Sequence, residues 1–511
     1  MTLHGSASFV LLLATTALSA LLLAPQGARA QNAYTPGNLL VSKSVLNAPA
    51  NLLVPNQTVL PGGGGATAVG NGLFSNIFKN EAPDPSFGVT TAITLDQVTR
   101  GGSVVGSQAV PGVVTSFSSK SELGLNLSAD RRSVTFMGYN APVNTLDVSN
   151  SNTPGHPDPT NPVQQTFQRS VATVGADGQV TTQAVNAYSG NNGRNAITGS
   201  NGVTYLVGNA GNGTSAATAA VLADQGANTG VQIVQPGNAN TSSAGQYNIA
   251  QNGYAPDKTS KDSNFRGETI SNNTLFVTKG SGGNGINTVY QVGTAGTLPT
   301  SGSNSLTILP GFNTTLAKTD TTDAPFGLFF ANATTLYVSD EGVNTPPTAA
   351  SRGQAPTLSN RAGIQKWSLV SGVWQLDYML QNGLDTGAYS VTGTDAGGNV
   401  ETVSATTTGL RNMTGIDNPD GTVSLYAATA TTSSLTDQGA DPNSVLAIND
   451  VLSATTLPGS EAYTTLEGPQ FATVYRGVSE APFAAAVPEP ATLAVLGMGL
   501  LGLVGVRRRF S

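Results

Sequence analysis

The sequence predicts an all-β fold, a β-propeller of six or seven blades, and three observations carry that reading. Short runs of β-branched and aromatic residues recur behind polar turns, at 129–136, 200–207, 271–277, 332–338 and 418–426, with a weaker sixth ending in Thr473-Val474-Tyr475. Asn-Gly and Asp-Gly pairs in these turns supply the positive φ that tight hairpins need. The aromatic positions Phe136, Tyr205, Phe276, Tyr337, Tyr426 and Tyr475 recur at intervals of roughly 50–90 residues, which suits four-stranded blades with insertions.

In chain order, residues 38–45 read as a first strand of period-2 character, placed to complete the last blade and close the ring. The glycine run 61–65 is a loop, 74–87 with its E-A-P-D-P is an irregular connection, and 92–98 resumes as a strand. Hairpins follow at 170–174 with 180–185 and at 363–369 with 373–380, and 287–292 and 445–449 belong to the same class. Continuous apolar triplets such as Tyr205-Leu206-Val207 suit strands buried on both faces. A right-handed parallel β-helix or a pair of β-sandwiches remains an alternative, opposed by the irregular spacing and the hairpins.

Both ends carry segments of another kind. Residues 9–23 are apolar and are followed by Pro25 and Ala28-Arg29-Ala30, the pattern of a signal peptide over 1–30 with Ala28 and Ala30 at the cleavage site, although residues 1–8 lack Lys and Arg. At the other end Val487-Pro488-Glu489-Pro490 precedes an uncharged apolar run, 491–506, and then Arg507-Arg508-Arg509. That run is shorter than the ~20 residues of a standard spanning helix. Arginines snorkelling at its end extend its reach, and they mark the cytoplasmic side. The expected organisation is a signal peptide at 1–30, an extracellular body at 31–486, and a C-terminal segment at 487–511 with one short transmembrane helix.

That C-terminal segment resembles the PEP-CTERM sorting signal of exopolysaccharide-producing Gram-negative bacteria. Pro488, Glu489, Pro490, the apolar run and Arg507, Arg508 and Arg509 stand in the family's order over about 25 residues. The resemblance implies an exosortase as partner, recognising the signal and cleaving near the motif. It also implies transient residence in the inner membrane and a final place at the cell surface or outside the cell. Propeller-like bodies are common in that family, and the same signal occurs on some ice-binding proteins.

Composition narrows the function further. There is no cysteine, which excludes disulfides and thiolate metal sites, and the formal net charge is −7 with pI ≈ 4.9. An acidic, sparsely basic chain is a poor partner for nucleic acid. Of two histidines one, His4, lies in the signal segment and His156 sits in a proline-broken loop, so a multi-histidine metal site is excluded. The G-x-G-x-x-G at 280–285 is followed by another strand rather than by the helix a dinucleotide site requires. No cofactor is expected, except that acidic pairs at Asp320/Asp323, Asp340/Glu341 and Asp417/Asp420 keep Ca²⁺ as a candidate ligand.

Arg194, Arg266 and Arg411 precede their blades' aromatics by comparable intervals, with Phe326 in the matching place, which puts them on or near inner strands facing the central channel. Three converging guanidinium groups could hold a uronate carboxylate of an extracellular polysaccharide, or could tie blades together. Trp367, Trp374 and Tyr378 form one aromatic cluster, suited to sugar stacking or to a core. The expected function is a non-enzymatic exported propeller binding polysaccharide or protein. The alternatives are a carboxylate hydrolase or lyase, with or without Ca²⁺, and ice binding.

Overall fold

The computed structural model describes residues 33–484 apart from 118–121, 211–229, 246–252, 254–263, 281–284, 303, 320–322, 343–360, 386 and 434–440. Ala28, Ala30, the sorting residues Pro488 to Arg509, the expected membrane span and Asp320 all lie outside the described residues. Within them no helix is long and apolar enough to cross a membrane. Among the described residues the regular structure is almost all strand, with two short 3-10 helices at Asn76–Glu81 and Val148–Asn150.

Among the described residues twenty-five strands follow in order. The first seven are β1 (Leu39–Val45), β2 (Thr90–Val98), β3 (Val104–Ser116), β4 (Asn126–Leu127), β5 (Ser133–Tyr139), β6 (Arg169–Gly175) and β7 (Val180–Val185). A third unit comprises β8 (Gly193–Thr198), β9 (Thr204–Gly208), β10 (Val231–Val234) and β11 (Ser242–Ser243). The fourth is β12 (Phe265–Ser271), β13 (Thr274–Lys279), β14 (Thr288–Val292) and β15 (Leu306–Ile308). The fifth is β16 (Pro325–Asn332), β17 (Thr335–Asp340), β18 (Gly363–Val370) and β19 (Val373–Leu380). The last strands are β20 (Ala388–Thr394), β21 (Val400–Asp417), β22 (Thr422–Ser433), β23 (Val445–Val451), β24 (Thr464–Glu467) and β25 (Thr473–Glu480).

These strands form five hydrogen-bonded sheets, where six or seven separate blades were expected. The difference has a local cause. The eight-stranded sheet, β25-β1-β2-β3-β5-β6-β7 with β4 on β5, is two four-stranded units joined at the single pair Val114↔Tyr139. Counting them apart gives six blades, whose inner strands are β25, β4, β8, β12, β16 and β21. Each inner strand packs against the next, and β21 against β25, so the ring is closed. Strand β1 pairs antiparallel with β25 on one side and β2 on the other, the closure expected for residues 38–45.

The second strand of each blade explains the apolar triplets. Tyr205 and Val207 of β9 pack toward blade 4 while Leu206 packs toward blade 2. In β13, Leu275 and Val277 face blade 3 and Phe276 faces blade 5; in β17, Leu336 and Val338 face blade 4 and Tyr337 faces blade 6. Side chains alternate across a strand, and here both faces are core, so polar residues have no place in the triplet. The sixth repeat is different: Thr473-Val474-Tyr475 belongs to the inner strand β25, and the second strand of its blade is β1, at the other end of the chain.

Residues between β1 and β2 form an insertion that caps one end of blades 1 and 6. Phe74 sits edge-on to Phe78, Phe117 and Phe471 at 5.9, 5.9 and 4.8 Å. Trp367, Trp374 and Tyr378 are all buried. Trp367 stacks on Phe312 at 4.0 Å and Trp374 meets Phe330 edge-on, so the two rings are core between blades 4 and 5 rather than an exposed sugar platform.

Candidate functional site

The inner strands share one dipeptide position. Leu123-Gly124, Arg194-Asn195, Arg266-Gly267, Phe326-Gly327, Arg411-Asn412 and Arg476-Gly477 occupy it in turn around the ring. The second residue must be small or must hydrogen-bond, because the neighbouring backbone arrives there. A Cβ on Gly267 would stand 1.9 Å from the Phe326 carbonyl oxygen, and one on Gly477 would stand 2.5 Å from that of Leu123. Asn195 donates through Nδ2 to the Arg266 carbonyl. Asn412 accepts the Val478 N–H at 2.8 Å and donates to the Leu125 carbonyl at 3.4 Å.

The first residue of the dipeptide builds a buried charged layer. Arg194, Arg266 and Arg411 lie on β8, β12 and β21, as their spacing implied, and the layer also includes Arg476 of β25, which that spacing missed. Its legible signal was Arg followed by Gly or Asn. Arg411 Nε meets Glu341 Oε2 at 2.9 Å, and Arg266 approaches the other oxygen of the same carboxylate at 3.9 Å. Arg194 donates to the Phe265 carbonyl at 3.0 Å and to Asn264; Arg476 donates to the carbonyls of Ser116, at 3.1 Å, and Phe117. Burial, and then the charge of Arg266, push the Arg194 guanidinium well down, while Glu341, Glu122 and Tyr188 oppose the shift. Arg266 is lowered by burial, against the pull of Glu341. Guanidinium groups remain charged at neutral pH even so, and these ones tie one blade to the next.

Glu268, two residues beyond Arg266 on β12, is buried with neither carboxylate oxygen hydrogen-bonded among the described residues, and desolvation raises its pKa well above the ordinary range. A second buried network spans blades 5 and 6. Lys366 Nζ lies 2.8 Å from Asp450, which also accepts the hydroxyls of Tyr337 and Tyr378 at 2.5 and 2.6 Å. Tyr378 is thereby held as a blade-to-blade contact.

On the far side of the dipeptide ring, all six inner strands contribute to one mouth of about 240 Å³. Asn126, Thr269, Ser271 and Thr414 offer amide and hydroxyl groups to it, and Ile270 and Phe329 line it as half-buried apolar surface. At its rim Arg131 is paired with Glu480 and lies over the Phe483 ring at 5.4 Å. Asp417 is close enough to feel both: burial raises its pKa first, Arg131 lowers it and Glu480 raises it. Neither sequence spacing nor composition pointed to this mouth, since each strand supplies only one to three of its residues.

The other acidic candidates are occupied by structural work. Asp340 accepts the N–H groups of Ala324 and Gly342 at 2.9 and 2.8 Å, Asp323 pairs with Arg361 at 3.1 Å, and Asp420 caps the Thr422 turn. Among the described residues no three or more His, Asp or Glu groups converge as a metal cluster. His156 lies 3.1 Å from the Asn186 amide in its loop. Gly280 is needed where the chain passes the Pro325 carbonyl, since a Cβ there would stand 2.0 Å from its oxygen, and the following strand β14 makes this a hairpin connection.

Residues 486–509 match the PEP-CTERM protein-sorting motif. No curated protein matches the chain. Among solved structures, a gluconolactonase from Xanthomonas campestris is similar at 11% identity and TM-score 0.28, over 66% of this chain and 87% of that one. A glucose dehydrogenase is similar at 10% and 0.33 over 68% and 90%, and a quinoprotein alcohol dehydrogenase-like protein from Bacteroides thetaiotaomicron at 8% and 0.28 over 77% and 85%. None of these likenesses is close enough to bear on chemistry. The motif, in contrast, implies export to the cell surface or beyond and processing by an exosortase. The chain therefore carries a PEP-CTERM protein-sorting motif at its C-terminus, behind a propeller-like body.

Proposed function

We propose that this exported propeller binds extracellular polysaccharide without transforming it, and that the axial mouth is where the chain docks. The observation that supports this is the convergence of six inner strands on one opening with hydroxyl and amide groups set around half-buried apolar side chains. Saccharide chains present that mixture of hydroxyls and apolar ring faces, and concave sites with a few directed polar groups suit them. Carboxylate hydrolysis fits less well. Among the described residues Glu480 is the one carboxylate in the lining, and it is engaged by Arg131, whereas glycoside cleavage requires two acidic groups flanking the bond.

In this reading residues 491–506 hold the precursor in the inner membrane until an exosortase cuts near Pro488-Glu489-Pro490, releasing the body. A glycan array, run with the secreted protein and with Thr414→Trp to fill the mouth, tests the binding. Retention by the wild type and its loss in the variant are expected, and equal binding by both would remove the mouth from consideration. Loss of acidic glycans alone in Arg411→Gln would move the site to the arginine layer. Intact mass of the secreted protein tests the processing, since a retained Arg507–Arg509 cluster contradicts it.

A further inference from the structure

Asp84 and Asp147 lie far apart in sequence, on the insertion before β2 and on the connection between β5 and β6, yet the fold brings their carboxylates together. Asp84 Oδ1 and Asp147 Oδ2 stand 2.3 and 3.0 Å from the point that a Cβ on Gly62 would occupy. Both residues are closed to solvent, at 1% and 0% exposure. Asp84 accepts one neutral donor, the Gly62 N–H at 2.9 Å, and Asp147 accepts another, the Asn150 amide at 2.6 Å. Among the described residues neither makes an ion pair, and Asp147 Oδ2 is a buried oxygen without a hydrogen-bond partner, turned toward Asp84.

Two carboxylates buried side by side need a compensating positive charge, because desolvation and mutual repulsion both oppose ionisation. Among the described residues the protein supplies oxygen atoms here and no cation. Pro83 and Pro85 stiffen the chain on either side of Asp84, and Asp147 holds a left-handed backbone with φ of 53°, so the two groups are fixed rather than free to turn away. A Cβ on Gly62 would collide with both carboxylates, so only glycine lets the backbone pass this close to the pair. Hard oxygen donors in an irregular loop pocket suit Ca²⁺, which tolerates mixed carboxylate, carbonyl and water ligation better than Mg²⁺ does.

We propose that Asp84 and Asp147 bind one Ca²⁺, which clips the insertion between β1 and β2 to the β5–β6 connection. Two carboxylates place the site among the weak extracellular class, with a Kd of roughly 0.1–1 mM. The cation thereby joins blade 2 to the segment capping blades 1 and 6, bracing the junction where the chain's first strand closes the ring.

The test uses the secreted protein, with isothermal titration of CaCl₂ and thermal melting in EDTA, 10 mM CaCl₂ or 10 mM MgCl₂. Calcium is expected to raise the wild-type Tm by about 2–4 °C, and magnesium to raise it less. Asp147→Asn and Asp84→Asn are each expected to bind one Ca²⁺ fewer and to lose the Tm response. In EDTA both variants should melt no lower than the wild type, because each removes one of two repelling charges, and this also shows that they fold. A wild-type Tm indifferent to calcium, or an unchanged stoichiometry in the variants, would overturn the proposal. A calcium-insensitive fall in wild-type Tm from pH 5 to pH 8 that is abolished in both Asp84→Asn and Asp147→Asn would assign the pair to a shared proton instead.

Discussion

Gly267 lies against the carbonyl of Phe326, with no room for a methyl group between the inner strands of blades 4 and 5: a Cβ would stand 1.9 Å from that oxygen. Backbone, unlike a side-chain tip, cannot step aside cheaply. Gly267→Ala is therefore expected to lower stability by about 1–3 kcal/mol through overpacking. Gly106→Ala on β3, where a Cβ meets nothing within 4 Å, is the matched control and should stay within about 0.5 kcal/mol. Urea unfolding of the two variants reads the difference, and equal midpoints would show that the inner ring is looser than described.

Glu341 holds the charged layer together from the blade 5 side, reaching Arg411 at 2.9 Å and Arg266 at 3.9 Å. Its removal takes a counter-charge from two guanidinium groups, that of Arg266 buried and that of Arg411 half-buried. Glu341→Gln should cost about 3–5 kcal/mol, the range for breaking one side of a buried ion pair. Replacing Arg411 by Met in the same chain should recover part of that loss, since one of the two stranded charges goes with it. A double-mutant cycle by urea denaturation measures the coupling, and purely additive effects would mean that the pair does not act as one unit.

What could be read from the chain beforehand follows its burial. Second strands such as β9 and β17 announced themselves because both faces are core and the triplet must be apolar throughout. Inner strands did not, because Gly124, Asn195, Gly267 and Asn412 serve close backbone approach, which leaves no hydrophobic period. Strand β3 escaped notice for another reason: it is largely exposed, carries Pro111, and so reads as loop. Arg476 was hidden by ring closure, since the aromatic-rich strand that follows the other arginines is, in its blade, β1 at the opposite end of the chain. The mouth and the Asp84–Asp147 pair could not be seen at all, being assembled from residues that only the closed ring brings together.

Closure by β1 is itself testable. Deleting residues 33–45 strips β25 and β2 of their shared partner and exposes two strand edges at once. The buried Leu39, Leu40 and Val41 also leave cavities at both neighbouring blade interfaces, through their membership of the blade 1–2 and blade 1–6 cores. The truncated chain is expected to lose its cooperative unfolding transition and to aggregate, and a synthetic peptide of 33–45 added in excess should restore protease resistance to residues 473–480. A truncated chain that melts as sharply as the full body would show that the ring does not depend on this strand.

Acidity should stabilise the body across the mildly acidic range, and Glu268 is the reason with the clearest geometry. Its carboxyl is buried without a hydrogen-bond partner among the described residues, and desolvation holds its folded pKa well above 4.5. Between the two values the folded protein keeps a proton that the unfolded chain releases. Stability from this group is fully present below the unfolded pKa and is lost as pH rises through the folded one, by about 1.4 kcal/mol per pH unit at most. Burial also raises Asp84 to about 6 and Glu461 to about 7, and both contribute in the same direction. Asp395 and Asp420 are shifted the other way by hydrogen bonds from Asn399 and Thr422, and they titrate below this window. Urea midpoints measured in EDTA at half-unit steps from pH 5 to pH 8 should therefore fall with pH. In Glu268→Gln the slope should be shallower by one group's share whatever the variant's absolute stability, because an amide carries no proton to lose. A slope identical in wild type and variant would mean that Glu268 is ionised in the folded state.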